Sequence, residues 1–448
     1  MTRFRKFFLI AIICLQPLII SGFWFWYHLN YPTGNQLIGD ASGMMLCYGR
    51  LSGLLLAFFS LLQILLICRA NWIEASFGLD RLACTHGIIG FCILILLVLH
   101  PMLLTLGQSI ENDVLFKEQF IDYCKNYEDV ILALTAVIII CIAVIVSFFV
   151  RLKRIKYEIW YYIHLFLYLA IALSFGHQLE LGSDLNASEL FKYYWYILYA
   201  FVFINLICYR FLIPILKFYK HRFFVSDITL ETTDVCSLGI SGLNMLHFNF
   251  EPGQFIFVRF LAKGFFHEKH PFSISGRVQN NKIRISAKAL GDFTRKIPDI
   301  TIGTRVAIDG PYGVFSLKTS SASKMLLIAG GIGITPIRAI VEKLADLKTD
   351  TVLLYFNRTA KNIVFDLELK GMEESSSGKL KVINILSNEP SWNGEKGKLG
   401  KDMLDRLVPD FLQREVFICG PPAMMKYSIR VLKNCGVKAK IHFERFSF

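Results

Sequence analysis

Four histidines lie inside two long apolar stretches. His86 and His100 fall in RLACTHGIIGFCILILLVLHPMLL, and His164 and His177 in IWYYIHLFLYLAIALSFGHQLEL. An imidazole in hydrocarbon is costly, so each position is a functional hypothesis in its own right. Imidazole is also the commonest metal ligand in proteins, and haem iron takes axial ligands from side chains on facing helices. Two pairs with nearly equal intervals, fourteen and thirteen residues, predict two haems stacked across a bilayer. In that arrangement His86 pairs with His164 and His100 with His177. The plainer alternative is four core histidines hydrogen-bonded across helices, which suits any one of them better than it suits the set. Fourteen helical residues rise about 21 Å and thirteen about 19.5 Å, but at about 100° per residue only fourteen returns close to the starting face. The second helix must therefore deform locally or present its two histidines at different azimuths.

Arg50, in CYGRLSGLL, is a further charge inside an apolar stretch. Such a residue either snorkels to the headgroups or pairs with a propionate of the outer haem, lending positive potential where an acceptor anion forms. His28 sits among aromatics at the end of the first stretch and reads as structural.

Positioning those side chains takes membrane-spanning helices. Of the 448 residues 54% are hydrophobic, above a soluble average. Six stretches near 7–28, 43–68, 82–106, 128–150, 157–179 and 192–216 are each about 20 residues or longer, enough to cross hydrocarbon as helix. The first resembles a secretory leader but is too long for one, has no small-residue cleavage site after it, and ends in an aromatic belt of Trp24, Trp26 and Tyr27. One set of loops carries Arg3, Arg5, Lys6, Arg69, Arg81, Arg151, Lys153, Arg154, Lys156, Arg210, Lys217 and Lys220. The opposite set is mostly acidic. The positive-inside rule then places the N-terminus and the C-terminal half in the cytoplasm, in the inner or plasma membrane, with lipid as a partner. It also puts His86 and His164 near the inner surface and His100 and His177 near the outer one.

The net charge of +13 divides as about +3 over residues 1–220 and +10 beyond. No Lys/Arg-rich run or nucleic-acid motif accompanies it, so lipid headgroups or phosphate-bearing cofactors, rather than nucleic acid, are its expected counterparts. The eleven cysteines include no C-x-x-C pair, which argues against a disulfide framework or a zinc site.

Beyond KFYKHR (217–222), short alternating runs such as QFIFVRFL and KIRISAKAL read as a small β-barrel to about residue 320. From Lys324 buried strands alternate with helices (MLLIAGG, TPIRAIVEKLADL, TVLLYFN, REVFICG), an α/β open sheet with a joint at SSAS, 320–323. GGIGITP follows a strand and opens a helix, so Gly330, Gly331, Gly333, Thr335 and Pro336 let backbone approach a pyrophosphate at a positive helix end. An ordinary glycine turn is the alternative. Gly291, Asp292 and Thr294 offer donors suited to a second pyrophosphate. Arg358, after Asn357 and near Lys361, stands where an arginine accepts a 2′-phosphate, which favours NADPH over NADH.

HPFSIS (270–275) and ALGDFT (289–294) resemble the flavin-contacting segments of the ferredoxin–NADP reductase family. GGIGITP (330–336) and CGPP (419–422) resemble its nicotinamide-nucleotide segments, and all four occur in the family's order. With the paired histidines, roughly residues 43–448 resemble the NADPH oxidase/ferric reductase superfamily in a compact bacterial-type form. The resemblance implies a six-helix transmembrane di-haem bundle (1–216), a β-barrel FAD-binding domain (217–322) and an α/β NAD(P)H-binding domain (323–448). It implies that His270, Pro271, Phe272, Ser273 and Ile274 contact the flavin, with Phe272 and Ser273 flanking its ring. Cys419, Gly420 and Pro421 would lie beside the nicotinamide, although a buried strand-end thiol is the plainer reading of Cys419. Glu444 and Phe446 match the family's terminal Glu-x-aromatic, whose ring covers the flavin. Ser447 and Phe448 extend beyond it, so Phe448 shares or takes that role.

The implied activity passes electrons from NAD(P)H through FAD and two haem b groups to an acceptor on the outer face. Arg50 matches an arginine near the oxygen site of the oxidases, which favours O2 and superoxide. Those oxidases often carry another histidine one turn beyond the second ligand of span three, where this chain has Leu104. Ferric chelates or a periplasmic redox partner therefore stay open as acceptors, and a non-catalytic haem carrier or sensor is the alternative of another class.

Overall fold

The computed structural model describes residues 2–30, 40–152, 154–180, 182–279, 281–320 and 322–444. The chain forms two compact units, one of residues 3–70 and 82–207, the other of 71–81 together with 208 onward.

In the first unit the helices are α1 (Thr2–Asn30), α2 (Ala41–Ile67), α4 (Leu79–Glu111), α5 (Phe116–Asn126), α6 (Glu128–Arg151), α7 (Tyr157–Glu180), α8 (Ser183–Asn186) and α9 (Glu189–Leu206). The short α3 (Asn71–Phe77) precedes α4 and belongs to the second unit. Among the described residues six helices are long and apolar enough to cross a membrane: Phe4–Asn30, Ala41–Ile67, Leu79–Glu111, Glu128–Val150, Glu158–Leu179 and Glu189–His221. They correspond to the six stretches read from sequence, the first, third and sixth running longer. Ile131, Leu134, Ile138, Ile142 and Ile145 make an exposed stripe along α6, at the helical spacing of a lipid-facing surface. On α2 the sense is reversed, because Cys47, Leu54, Phe58, Leu61 and Leu65 are buried. Helix α2 is thus the inner member of its bundle. Gly49 and Gly107 permit its close crossing with α4, since a Cβ at Gly49 would come 2.8 Å from Leu104 and one at Gly107 2.9 Å from Leu46.

The sixth span does not end where hydropathy fades. A π-helical turn, Ile207–Leu212, leads straight into α10 (Ile213–His221). Pro214 lacks the N–H that an α-helix needs there, and a wider turn accommodates it. The boundary expected at 216/217 therefore falls inside a continuous helix.

In the second unit β1 (Phe224–Leu230), β2 (Val235–Ser241), β3 (Phe255–Phe260), β4 (His270–Gln279), β5 (Lys282–Lys288) and β6 (Val306–Tyr312) form an antiparallel sheet in the order β1-β2-β5-β4-β3-β6, with the short α11 (Asp292–Arg295) after β5. Val225 N donates to Thr304 O at 2.9 Å and Val306 N to Phe223 O at 2.9 Å. These bonds return the sheet's last edge to its first and close the barrel. Strand alternation turns Ile240, Val258, Ile274, Ile285 and Ile308 inward to a core in which none is more than 1% exposed.

A parallel sheet follows in the order β10-β9-β8-β7-β11-β12, from β7 (Lys324–Gly330), β8 (Asp350–Asn357), β9 (Leu380–Leu386), β10 (Glu395–Lys396), β11 (Glu415–Cys419) and β12 (Ile441–Phe443). Its helices are α12 (Ile334–Asp346), α13 (Asp366–Ser375), α14 (Lys401–Leu407) and α15 (Pro422–Asn434). Strand order reverses between β7 and β11. In open α/β sheets that reversal leaves a crevice at the carboxyl ends of the two strands, here at Gly330 and Cys419.

Candidate functional site

In the first unit α4 and α7 bring the four histidines together as two facing pairs. The ring centroids of His86 and His164 are 6.0 Å apart, and those of His100 and His177 also 6.0 Å. Two metal–nitrogen bonds of about 2.0 Å, plus about 1.1 Å from each nitrogen to its ring centre, put a bis-imidazole pair about 6 Å apart. Among the described residues no hydrogen bond engages an Nε2 of the four, and the Nδ1 atoms of His86, His164 and His177 are buried without a partner. His100 Nδ1 lies 2.9 Å from the Gly49 carbonyl. A proton on that nitrogen makes the contact a hydrogen bond and leaves Nε2 bare for a metal. The donors and the spacing fit bis-histidine haem. Among the described residues no cluster of three or more His, Cys, Asp or Glu offers a metal site of another kind.

Helix α7 is uninterrupted from Tyr157 to Glu180, so the thirteen-residue interval is not absorbed by a break, and its two histidines leave the helix at different azimuths. Sequence reading missed what backs them. Gly53 makes room for His100, because a Cβ there would stand 2.5 Å from the ring. Gln63 donates to the His86 carbonyl at 2.9 Å. Gln178, beside His177, accepts from Trp195 Nε1 at 3.1 Å and from the Tyr199 hydroxyl at 2.8 Å, tying α7 to α9. The signals were present as two glycines four apart on α2 and two amides inside apolar spans.

Arg50 is partly buried and makes no hydrogen bond or ion pair with a described residue. Its charge acts on Asp184. Burial pushes the Asp184 carboxyl up to about 6, against the pull of Arg50. His28 is 1% exposed, with Nδ1 3.4 Å from Cys47 Sγ and Nε2 3.5 Å from Asp184, a packed structural setting.

On the barrel, β4 carries His270 through Ile274. Alternation places Phe272 and Ile274 in the barrel core, 7% and 0% exposed. Both belong to the same buried cluster as Ile256 and Val258 of β3. Pro271 and Ser273 stand on the opposite face of this strand, while His270, at its first position, shares the face of Phe272. His270 Nε2 meets Glu268 at 2.8 Å, and its ring lies 3.9 Å from that of Phe293. Gly291 and Asp292 are exposed at the head of α11. Thr294 Oγ accepts from Leu290 N and Gly291 N, both at 3.0 Å, and donates to Gly291 O at 3.2 Å. Its hydroxyl thus shapes its own turn instead of projecting as a free donor.

The glycine turn stands where β7 meets α12. Gly331 has φ +51° and open space around its Cα. Gly333 admits no side chain, since a Cβ would lie 2.4 Å from the Cys419 carbonyl, and one at Gly420 would lie 3.2 Å from Gly330. Thr335 Oγ donates to Ile332 O at 2.9 Å, and Pro336 is buried in the first turn of α12. Pro421 precedes α15, and Asn357 ends β8 with exposed Arg358 just beyond it. Cys419 is 1% exposed, and burial, aided by the Glu444 carboxylate, pushes its thiol well above the usual range. It is a neutral thiol at any ordinary pH.

Glu444 is 2% exposed with Oε2 lacking a partner. Burial, then Asp80 and Glu74, push its carboxyl up to about 8. Glu74 of α3 accepts from Gly313 N at 2.7 Å, and burial raises it to about 7. This pair of buried carboxyls beside Gly313 was not legible in the sequence, because Glu74 is separated from Gly313 by 239 residues. Phe446 and Phe448 lie outside the described residues.

Three family models match the chain: ferric reductase like transmembrane component over residues 52–175, FAD-binding domain over 221–316 and oxidoreductase NAD-binding domain over 327–429. The chain therefore combines the domains typical of the NADPH oxidase/ferric reductase superfamily. The glycine betaine monooxygenase reductase subunit of Chromohalobacter salexigens is 29% identical over 250 residues, 51% of this chain and 64% of that protein. NADH-cytochrome b5 reductase 2 of Botryotinia fuckeliana is 33% identical over 143 residues, 30% of this chain and 41% of that protein. The match thus spans less than two thirds of either relative. Among solved structures, the FAD/NAD-binding domain of nitric oxide dioxygenase from Vibrio cholerae covers 50% of this chain and 98% of that one, at 24% identity and a TM-score of 0.45.

Proposed function

We propose that this membrane protein is an NAD(P)H-dependent oxidoreductase that carries electrons from the cytoplasm through FAD and two haem b groups to O2 on the outer face, giving superoxide. The observation that carries the reading is the pair of facing histidine couples at one common separation of 6.0 Å. Bound FAD turns a two-electron donation into single electrons, and bound haem accepts them one at a time. His86 with His164 would hold the inner haem and His100 with His177 the outer, the histidines of each helix about 20 Å apart along its axis. His270, Pro271, Ser273, Gly291 and Asp292 would hold the flavin. Gly330, Gly331, Gly333, Thr335, Gly420 and Pro421 would admit the nucleotide backbone, and exposed Arg358 favours a 2′-phosphate and hence NADPH. Cys419 and Glu444 would line the nicotinamide side. Arg50, without a hydrogen-bond partner among the described residues, would supply positive potential at the exit.

A second acceptor has one observation in its favour. Leu104 packs into the notch at Gly49 and puts no ionisable group at that position, which suits a ferric chelate or a periplasmic partner as readily as O2. Purified protein given NADPH and FAD, assayed for superoxide and for ferric-chelate reduction together, decides between them. Superoxide at the higher rate is expected. Ferric reduction insensitive to superoxide dismutase would move the assignment to a reductase, and no NADPH or NADH oxidation at all would leave a haem carrier or sensor.

A further inference from the structure

Ser275 lies on β4, two residues beyond Ser273, and Arg338 lies on α12, two residues beyond Pro336. The strand bearing the candidate flavin contacts and the helix opening from the nucleotide turn meet at this pair. Arg338, only 7% exposed, donates through Nη1 to the Ser275 carbonyl at 3.0 Å and to Glu342 at 2.9 Å. Its Nε and Nη2 donate to Glu368 at 2.9 and 2.8 Å. Glu368, at the head of α13, also accepts two parallel bonds from Arg284 of β5, at 2.6 and 2.8 Å. The Arg284 guanidinium stands 4.6 Å over the ring of Phe365. Gly276 completes the fit, since a Cβ there would come 2.7 Å from Arg338 Nη1. The chain of contacts crosses from the FAD-binding match into the NAD-binding match.

An exposed ion pair holds little in place. This arrangement differs because a single carboxylate is gripped by two guanidiniums, one of them buried, and paired N–H donors fix direction as well as distance. The two arginines would repel each other without Glu368 between them. Gly276 and the Ser275 carbonyl admit no sliding of α12 along β4 without breaking a bond to Arg338.

We propose that the Arg284–Glu368–Arg338 clamp sets the separation between the flavin-binding strand and the nucleotide-binding helix, making Glu368 a positioning residue for hydride transfer. The proposal rests on the reading of β4 and the glycine turn as flavin and nucleotide contacts. In the transfer a nicotinamide C–H bond breaks, its hydride adds to the flavin and one proton comes from solvent, so NAD(P)H is oxidised and FAD reduced. Such a step is steep in geometry, and a misplacement of about 1 Å costs on the order of a hundredfold. Glu368 acts on it only through the two arginines.

Full-length, detergent-solubilised protein loaded with FAD is mixed anaerobically with increasing NADPH, and flavin bleaching is followed by stopped flow. Glu368→Gln should lower the limiting rate about tenfold, while FAD content is unchanged and the apparent Kd for NADPH moves less than about twofold. Arg284→Lys, which keeps the charge but loses the paired geometry, should fall between Glu368→Gln and wild type. In ligand-free protein, amide hydrogen exchange in β4 and α12 should quicken in both variants. An unchanged limiting rate with unchanged exchange overturns the clamp, as does a loss confined to the Kd. If wild type is not reduced by NADPH or NADH, the proposed function fails, while the exchange measurement still tests the clamp.

Discussion

Two side-chain environments set the chemistry at the scale of single residues. His100 is held by backbone, with its Nδ1 against the Gly49 carbonyl and its ring over Gly53. Gly53→Ala would insert a carbon 2.5 Å from that ring. Overpacking of this kind costs about 1–3 kcal/mol or displaces the weaker neighbour. The expected result is a purified protein with a normal inner haem and a depleted or spectrally altered outer one, read by haem content per FAD. An unaltered spectrum would remove His100 from the ligand set. Glu444 works through protonation. Its folded carboxyl is raised to about 8 from an ordinary value near 4.3, so the folded state binds the proton more tightly than the unfolded chain. The resulting stability is complete below about pH 4 and is lost as pH rises toward 8, by up to about 1.4 kcal/mol per pH unit. Thermal melting should therefore fall from pH 5 to pH 8, and Glu444→Gln should shrink that fall.

Secondary-structure elements gain their meaning from what they dock against. Helix α3 has only seven residues, too short to be stable alone, yet it belongs to the same compact unit as the barrel through Glu74 and Gly313 N. Glu74→Ala would leave that amide without a partner, at a cost of about 1–3 kcal/mol. Glu74→Gln keeps an acceptor and removes the burden of a buried charge. The alanine variant should melt lower and the glutamine variant close to wild type in the same detergent. Equal melting of all three would mean that α3 contributes nothing to the unit. The barrel strands and the glycine turn were legible from alternation and from the strand–turn–helix order. The inward face of Phe272 was not, because which face of β4 looks inward depends on register with β3 and β5.

For the whole molecule the test is directional. His100→Ala should lose one of two haems and stop reduction of an outer acceptor, while flavin reduction by NADPH continues. Retention of both haems would break the pairing. Loss of flavin reduction as well would mean that the substitution had unfolded the protein instead of interrupting transfer.

The six apolar spans were written in residue order, because crossing hydrocarbon demands about 20 consecutive apolar residues. The glycine turn was equally local, since close backbone approach demands glycine at fixed offsets. The intervals of fourteen and thirteen residues named the four histidines and their partners as an expectation. The facing rings at 6.0 Å came only with the placement of α4 opposite α7, because hydropathy has no term for azimuth. The glycines that make room for His100, the buried carboxyls at Gly313 and the bridge from Arg284 to Arg338 were likewise decided by tertiary structure. Each joins residues from separate elements, and no local period reports a contact of that kind.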